Sequence, residues 1–149
     1  MTLFQSLAPR IMRGLIRDLS ISLTDAAAIV GNLGHESGGF RFLQEKKPLV
    51  PGSAGGYGWA QWTGPRRRAY EAYCAKNKLD PAGFEANYGY LVFELRNTET
   101  RAVPAVKAAK TLPEKVKAFE LHFERASPLY KHYESREQYA AQALTAFTA

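Results

Sequence analysis

Glu36 is the residue whose chemistry most needs explaining. In the stretch IVGNLGHESGGF, residues 29–40, Ile29 and Leu33 precede it at helical spacing. A helix through them puts the glutamate on its apolar face. A carboxylate there loses water, which raises its pKa. The C-terminal end of a helix adds to the effect, because the negative end of its dipole disfavours a second negative charge. Both influences hold a proton on the group near neutral pH, the state that a general acid requires. On periodicity alone, the alternative is a glutamate that leaves the stripe at a fraying last turn and points to water.

The residues that follow have the composition of a sugar cleft. The segment GGYGWAQW supplies Tyr57, Trp59, Gln61 and Trp62. Flat rings stack on pyranose faces, an amide bonds hydroxyls, and glycines let a chain-like ligand approach the backbone. Core packing is the competing role for the tryptophans, and at least one of them is expected in the core. Glycosidases commonly pair their acid with a second carboxylate. Of the 14 acidic residues, Glu45 is the one close to Glu36 on the approach to this segment. An exposed loop glutamate beside Lys46 and Lys47 is an equal alternative.

Other chemistries lack their residues. His35, His122 and His132 show no close metal spacing, and Cys74 has no partner for a disulfide or a local motif. Ser37 has no nucleophile-elbow context, and no phosphate- or dinucleotide-binding glycine motif occurs. The PRRR run at 65–68 could meet a phosphate at a helix start, though a solvated helix face is the commoner case.

The elements that must position these groups read as mostly helical. The first helix is expected over 9–19, with Pro9 at its start and Ile11, Met12, Leu15, Ile16 and Leu19 as its apolar face. A second, capped by Ser22 or Thr24, carries Ala26, Ile29, Val30 and Leu33 and ends at Gly38-Gly39. Residues 40–64 are rich in glycine and proline and then alternate, which predicts a small β-hairpin or extended loop. Helices return over 65–77, 82–98, 113–124 and 135–147, the last capped by Ser135. The fold class is therefore mostly α (α+β), with one small β-hairpin beside the cleft, in a single domain over 1–149.

The bulk numbers fit that reading. The chain has 149 residues, 46% hydrophobic and 23% charged, as in a folded globular protein. A net charge of +6 favours an anionic partner: nucleic acid, acidic lipid or the acidic bacterial wall. No run approaches the ~18 apolar residues of a membrane span, and the N-terminus does not read as a secretory signal.

Four segments together resemble the phage lysozyme family found in endolysins and tail-associated muralytic domains. They are AAAIVGNLGHESGGF, GGYGWAQWTGPRRRAYEAY, EANYGYLVFEL and FERASPLYKHYESREQYAAQAL, covering roughly residues 8 to 145. The resemblance implies a lysozyme-like fold that cleaves the β-1,4 bond between N-acetylmuramic acid and N-acetylglucosamine in peptidoglycan, without metal or cofactor. It places the catalytic glutamate on Glu36 and glycan contacts on Tyr57, Trp59 and Gln61. Family members often carry a second acid nine positions after the first, then a threonine. Here Glu45 stands where aspartate is commoner, position 51 is proline, and no threonine lies between 45 and 62. That departure keeps open a lytic transglycosylase, which works with one glutamate and no catalytic water. A non-catalytic wall-binding module is the reading from another class. Nucleic-acid binding rests on charge alone, with no recognisable basic recognition helix, and is not expected. The partner expected is the glycan strand of peptidoglycan, with no stable membrane insertion and a monomeric enzyme. The expected setting is a free endolysin, held in the host cytoplasm until released to the wall.

Overall fold

Two capping boxes set the first two helices of the computed structural model, which describes residues 1–46 and 53–149. Thr2 and Gln5 exchange bonds of 2.8 and 3.1 Å, so α1 runs Leu3–Leu19. It begins earlier than Pro9, the expected start, because this box satisfies the N-terminal donors upstream. Pro9 lies in the helix interior and lacks the N–H that would bond Gln5. Ser22 and Asp25 form the second box at 3.0 Å each and start α2, Leu23–Glu36.

The expected face of α2 is buried, but so are Ala27, Ala28, Gly31 and Asn32. A helix buried on every side belongs at the centre of its domain. Around it pack α1, α6 (Leu112–Phe119) and α7 (Tyr133–Thr148), the last most closely. Gly31 makes that approach possible. A Cβ there would lie 2.6 Å from Ala140 Cβ and 2.7 Å from the Arg136 carbonyl oxygen, so the two backbones run directly together. Asp25 and Lys115 pair at 2.7 Å and join α2 to α6.

The remaining helices are α3 (Gly64–Asn77), α4 (Phe84–Asn97) and a short α5 (Ala102–Ala108) that periodicity does not signal. Trp62 and Tyr70 stack at 4.5 Å, and Tyr90 meets Trp62 edge-on at 5.0 Å, which holds α3 against α4. The expected 113–124 helix is α6 followed by one wider turn of π-helix, Glu120–Glu124, closed by Arg125 at φ 52°. Ser135 is not the cap of the last helix. It lies inside α7, where its Oγ is 2.8 Å from His35 Nδ1.

The expected β-hairpin is not formed among the described residues. Two isolated antiparallel bridges stand in its place, Gln44 with Tyr57 and Tyr57 with Trp62. The reason is local. Gly58 at φ 85° and Gln61 at φ 54° make a tight turn closed by the Tyr57–Trp62 pair, and α3 begins two residues later at Gly64, so the chain leaves before a ladder can extend. Lys47 and Pro51 lie outside the described residues. No helix among those described is long and apolar enough to cross a membrane.

Candidate active site

Ser37 shapes the chain just after Glu36. Its Oγ donates to the Leu33 carbonyl at 2.8 Å and accepts from the Phe40 N–H at 2.9 Å, while Gly38, Gly39 and Phe40 all take positive φ. This turn ends α2 with the Glu36 side chain 19% exposed on the wall of a cavity of about 450 Å3. A larger hollow of about 490 Å3 between α1, α7 and Gly38-Gly39 carries no carboxyl group.

Arg136, fully buried on α7, pairs with Glu36 Oε2 at 2.6 Å. It also donates to Asn32 Oδ1 at 3.0 Å and to the Lys131 carbonyl at 2.5 Å. Asn32 is held in turn by the Ala28 and Val116 carbonyls, so the guanidinium is locked from three directions. Burial lifts the Glu36 carboxyl above its ordinary range, Arg136 pulls it back, and Glu120 adds a smaller upward push. His35 lines the same cavity. Burial first, then the charges of Arg136 and His132, lower its pKa to about 4, so the ring is neutral near neutral pH.

A further acid, distant from Glu36 in sequence, lines this cavity. Glu124, at the end of the π turn, lines it beside Arg125, Ala126, Ser127 and Tyr130. Its Oε1 is buried and has neither a hydrogen bond nor an ion pair among the described residues. Burial and then the nearby Glu36 push its pKa well up, against the pull of Arg136 and Arg66. Two anchors hold the turn. Glu120 accepts from Lys131, from Tyr133 Oη at 2.6 Å and from the Ala126 N–H at 2.8 Å. Arg66 pairs doubly with Glu94 at 2.8 and 3.0 Å and donates to the Phe123 carbonyl at 2.8 Å.

The residues singled out from sequence fall in different places. Glu36, Glu45 and Gln61 line the cavity together. Glu45 spends one oxygen on the Gly56 N–H at 3.0 Å. Gln61 turns its amide nitrogen inward to the Leu43 and Gly58 carbonyls at 2.8 and 2.9 Å, so it braces the loop. Trp59 is 3% exposed, packed between Phe40 and Phe84, and does not reach the cavity. Tyr57 is half-buried, stacked on Tyr70, and also stands off the cavity wall. The aromatic ring that does line it is Tyr130, 44% exposed. Arg66 and Arg67 are not free surface charges: Arg67 donates to the Ala54 and Gly55 carbonyls.

Sequence reasoning missed Glu124 and Arg136. A signal for the first was present: Val116, Phe119 and Phe123 form an apolar stripe in which Glu120 falls and at whose edge Glu124 stands. Arg136 carries no local mark, since its burial depends on Gly31.

A cleft with a half-buried glutamate at a helix end, reached through a glycine turn, is the geometry expected of a lysozyme-like site. A family model described as phage tail lysozyme matches residues 8–147. The chain belongs to the phage tail lysozyme family. No curated protein and no solved structure matches it. As a phage tail lysozyme it is a peptidoglycan-cleaving, lysozyme-like enzyme.

Proposed function

We propose that this phage tail lysozyme is a muramidase, hydrolysing the β-1,4 bond between N-acetylmuramic acid and N-acetylglucosamine, with Glu36 as general acid. The observation that carries the reading is Glu36 itself. Its carboxyl lies on the cavity wall, with burial favouring its protonated form and Arg136 ready to receive the charge when the proton leaves. Protonating the leaving oxygen turns the acid into a carboxylate, and a guanidinium already in place lowers the cost of that change. Tyr130 offers a ring to a sugar face at the rim. The family's description as a tail lysozyme favours an enzyme carried on the virion and acting at entry, rather than the free endolysin expected from sequence.

Mass spectrometry of products from purified peptidoglycan digested in heavy-oxygen water tests this. Incorporation of one heavy oxygen at a new reducing end supports hydrolysis. Products ending in a 1,6-anhydro ring without heavy oxygen identify a lytic transglycosylase, and no products would leave only wall binding. Glu36→Gln should fold and lose about 10²–10⁴-fold in rate. Proteomic analysis of purified virions tests the tail location.

A further inference from the structure

Three carboxyl groups and two guanidinium groups gather at the cavity wall, with Glu36 and Glu124 lining it. Glu94 is matched by Arg66 at 2.8 Å and Glu36 by Arg136 at 2.6 Å. Glu124 lies near these four and, among the described residues, has no partner of its own for its buried Oε1. A third negative charge in that space would be uncompensated, and buried charges of this kind are resolved by taking up a proton. Charge balance therefore calls for one proton on the Glu36–Glu124 pair. Among the described residues Asp25 Oδ1 is the other buried oxygen without a hydrogen bond, and it is matched by Lys115 at 2.7 Å, whereas Glu124 Oε1 has no such ion pair. A role in chemistry at the cavity supplies a reason for it.

We propose that Glu124, rather than Glu45, is the second catalytic carboxyl of this cleft, holding one proton in common with Glu36. The proposal rests on the muramidase reading above. At rest charge balance keeps that proton on Glu124, opposite the Glu36–Arg136 pair. The working form is the tautomer in which the proton has passed to Glu36 and Glu124 is ionised. Glu36 gives its proton to the glycosidic oxygen as the bond from that oxygen to the anomeric carbon breaks, and the bonding pair leaves with the oxygen. A water oxygen bonds to the anomeric carbon, and the proton it sheds goes to Glu124. The pair ends with the same single proton it began with, now on Glu124, while the Glu36 carboxylate faces Arg136. Passing the proton back to Glu36 resets the site. If the sugar's own C6 hydroxyl attacks instead of water, the same transfer to Glu124 balances the reaction.

The groups facing the pair are Arg136 from α7, Arg66 and Glu94 from α3 and α4, Glu120 of the π turn with its partner Lys131, and His35, His132, Glu45, Arg125 and Tyr130 around the cavity. Glu45 differs from Glu124 in kind: one of its oxygens is committed to a loop N–H.

The test is the pH–rate profile of Glu124→Gln and Glu124→Asp on solubilised glycan strands, with thermal melting as the check on folding. A pair sharing one proton makes the wild-type profile a bell. Glu124→Gln should lose about 10²–10⁴-fold in rate. Its profile should lose the acid limb, and the basic limb should move to lower pH because no neighbouring charge opposes ionisation of Glu36. Glu124→Asp, which keeps an acid, should retain a bell of reduced height. A wild-type rate in Glu124→Gln overturns the proposal, as does a slower enzyme that keeps both limbs where they were. If Glu124→Gln does not fold, an aspartate variant with the wild-type rate and limbs overturns it equally. A wild-type enzyme without glycan products, or an active Glu36→Gln, would instead refute the muramidase reading.

Discussion

Gly31→Ala tests whether the packing of α7 on α2 sets the site. The added Cβ would meet Ala140 Cβ at 2.6 Å, and the Ala140 nitrogen and Arg136 carbonyl oxygen at 2.7 Å. Ordinary contacts lie at about 3.5–4.0 Å, so α7 must retreat by roughly 1 Å. Two of the three obstructing atoms are backbone and cannot rotate away, which puts the strain near the upper end of the usual cost of overpacking, about 3 kcal/mol. Alanine's better helix propensity returns about 1 kcal/mol. The net loss of about 2 kcal/mol corresponds to a fall in Tm of about 4–8 °C for a chain of this size. The consequence for function is larger than for stability. Arg136 and Ser135 ride on the displaced helix, and with them the contacts to Glu36 and His35. A misplacement of about 1 Å in a catalytic constellation costs about 10²-fold in rate. Turbidity clearing of purified peptidoglycan, read beside thermal melting, measures both. Gly14→Ala is the control: the nearest atoms to its Cβ are the hydroxyl and ring of Tyr88, off the cavity wall, so it should lower Tm and spare the rate. A folded Gly31→Ala enzyme clearing peptidoglycan at the wild-type rate would refute the coupling of α7 packing to the site.

Glu45→Gln keeps an oxygen for the Gly56 N–H, so it should fold and retain its rate within about threefold; a loss of about 10²-fold or more, the scale of acid–base catalysis, would restore Glu45 as the second carboxyl. Activity on whole wall should fall as salt rises above ~0.15 M, where screening sets in within about 8 Å, and Arg68→Gln should flatten that dependence. Arg66→Gln should instead lower Tm, because its charge is matched inside the protein by Glu94. His35 has a folded pKa of about 4 against an ordinary 6.5, so the folded state binds fewer protons than the unfolded one between those values. Its contribution to stability is therefore present above pH 6.5 and lost as pH falls toward 4. Melting temperatures across that window should fall more steeply for wild type than for His35→Gln, and parallel curves would contradict the assignment.

Local signals reached the helices that carry the site and one of its acids. The α2 stripe and its Ser22 cap are visible within one short segment, Ser22 to Leu33, because capping and amphipathic spacing are short-range properties. Glu36 was legible for the same reason: an acid on an apolar stripe is a conflict visible within one helix. The hairpin was not, since alternation at Tyr57, Trp59 and Gln61 does not report that the backbone turns at Gly58 and Gln61, inside the alternating run, and enters α3 two residues after Trp62. Trp59 and Tyr57 look like sugar platforms in sequence, yet their exposure depends on whether Phe40, Phe84 and Tyr70 come to cover them.

By itself, the sequence determined a mostly helical chain, an acid at the end of its central helix and membership in a lysozyme family. The tertiary structure decided what surrounds that acid. Arg136 and Glu124 stand far along the chain from Glu36 and reach it because Gly31 admits α7 and the Arg66–Glu94 pair fixes the π turn. Whether a carboxyl keeps its proton depends on water and charge within a few ångströms, and those neighbours exist only after the helices have packed.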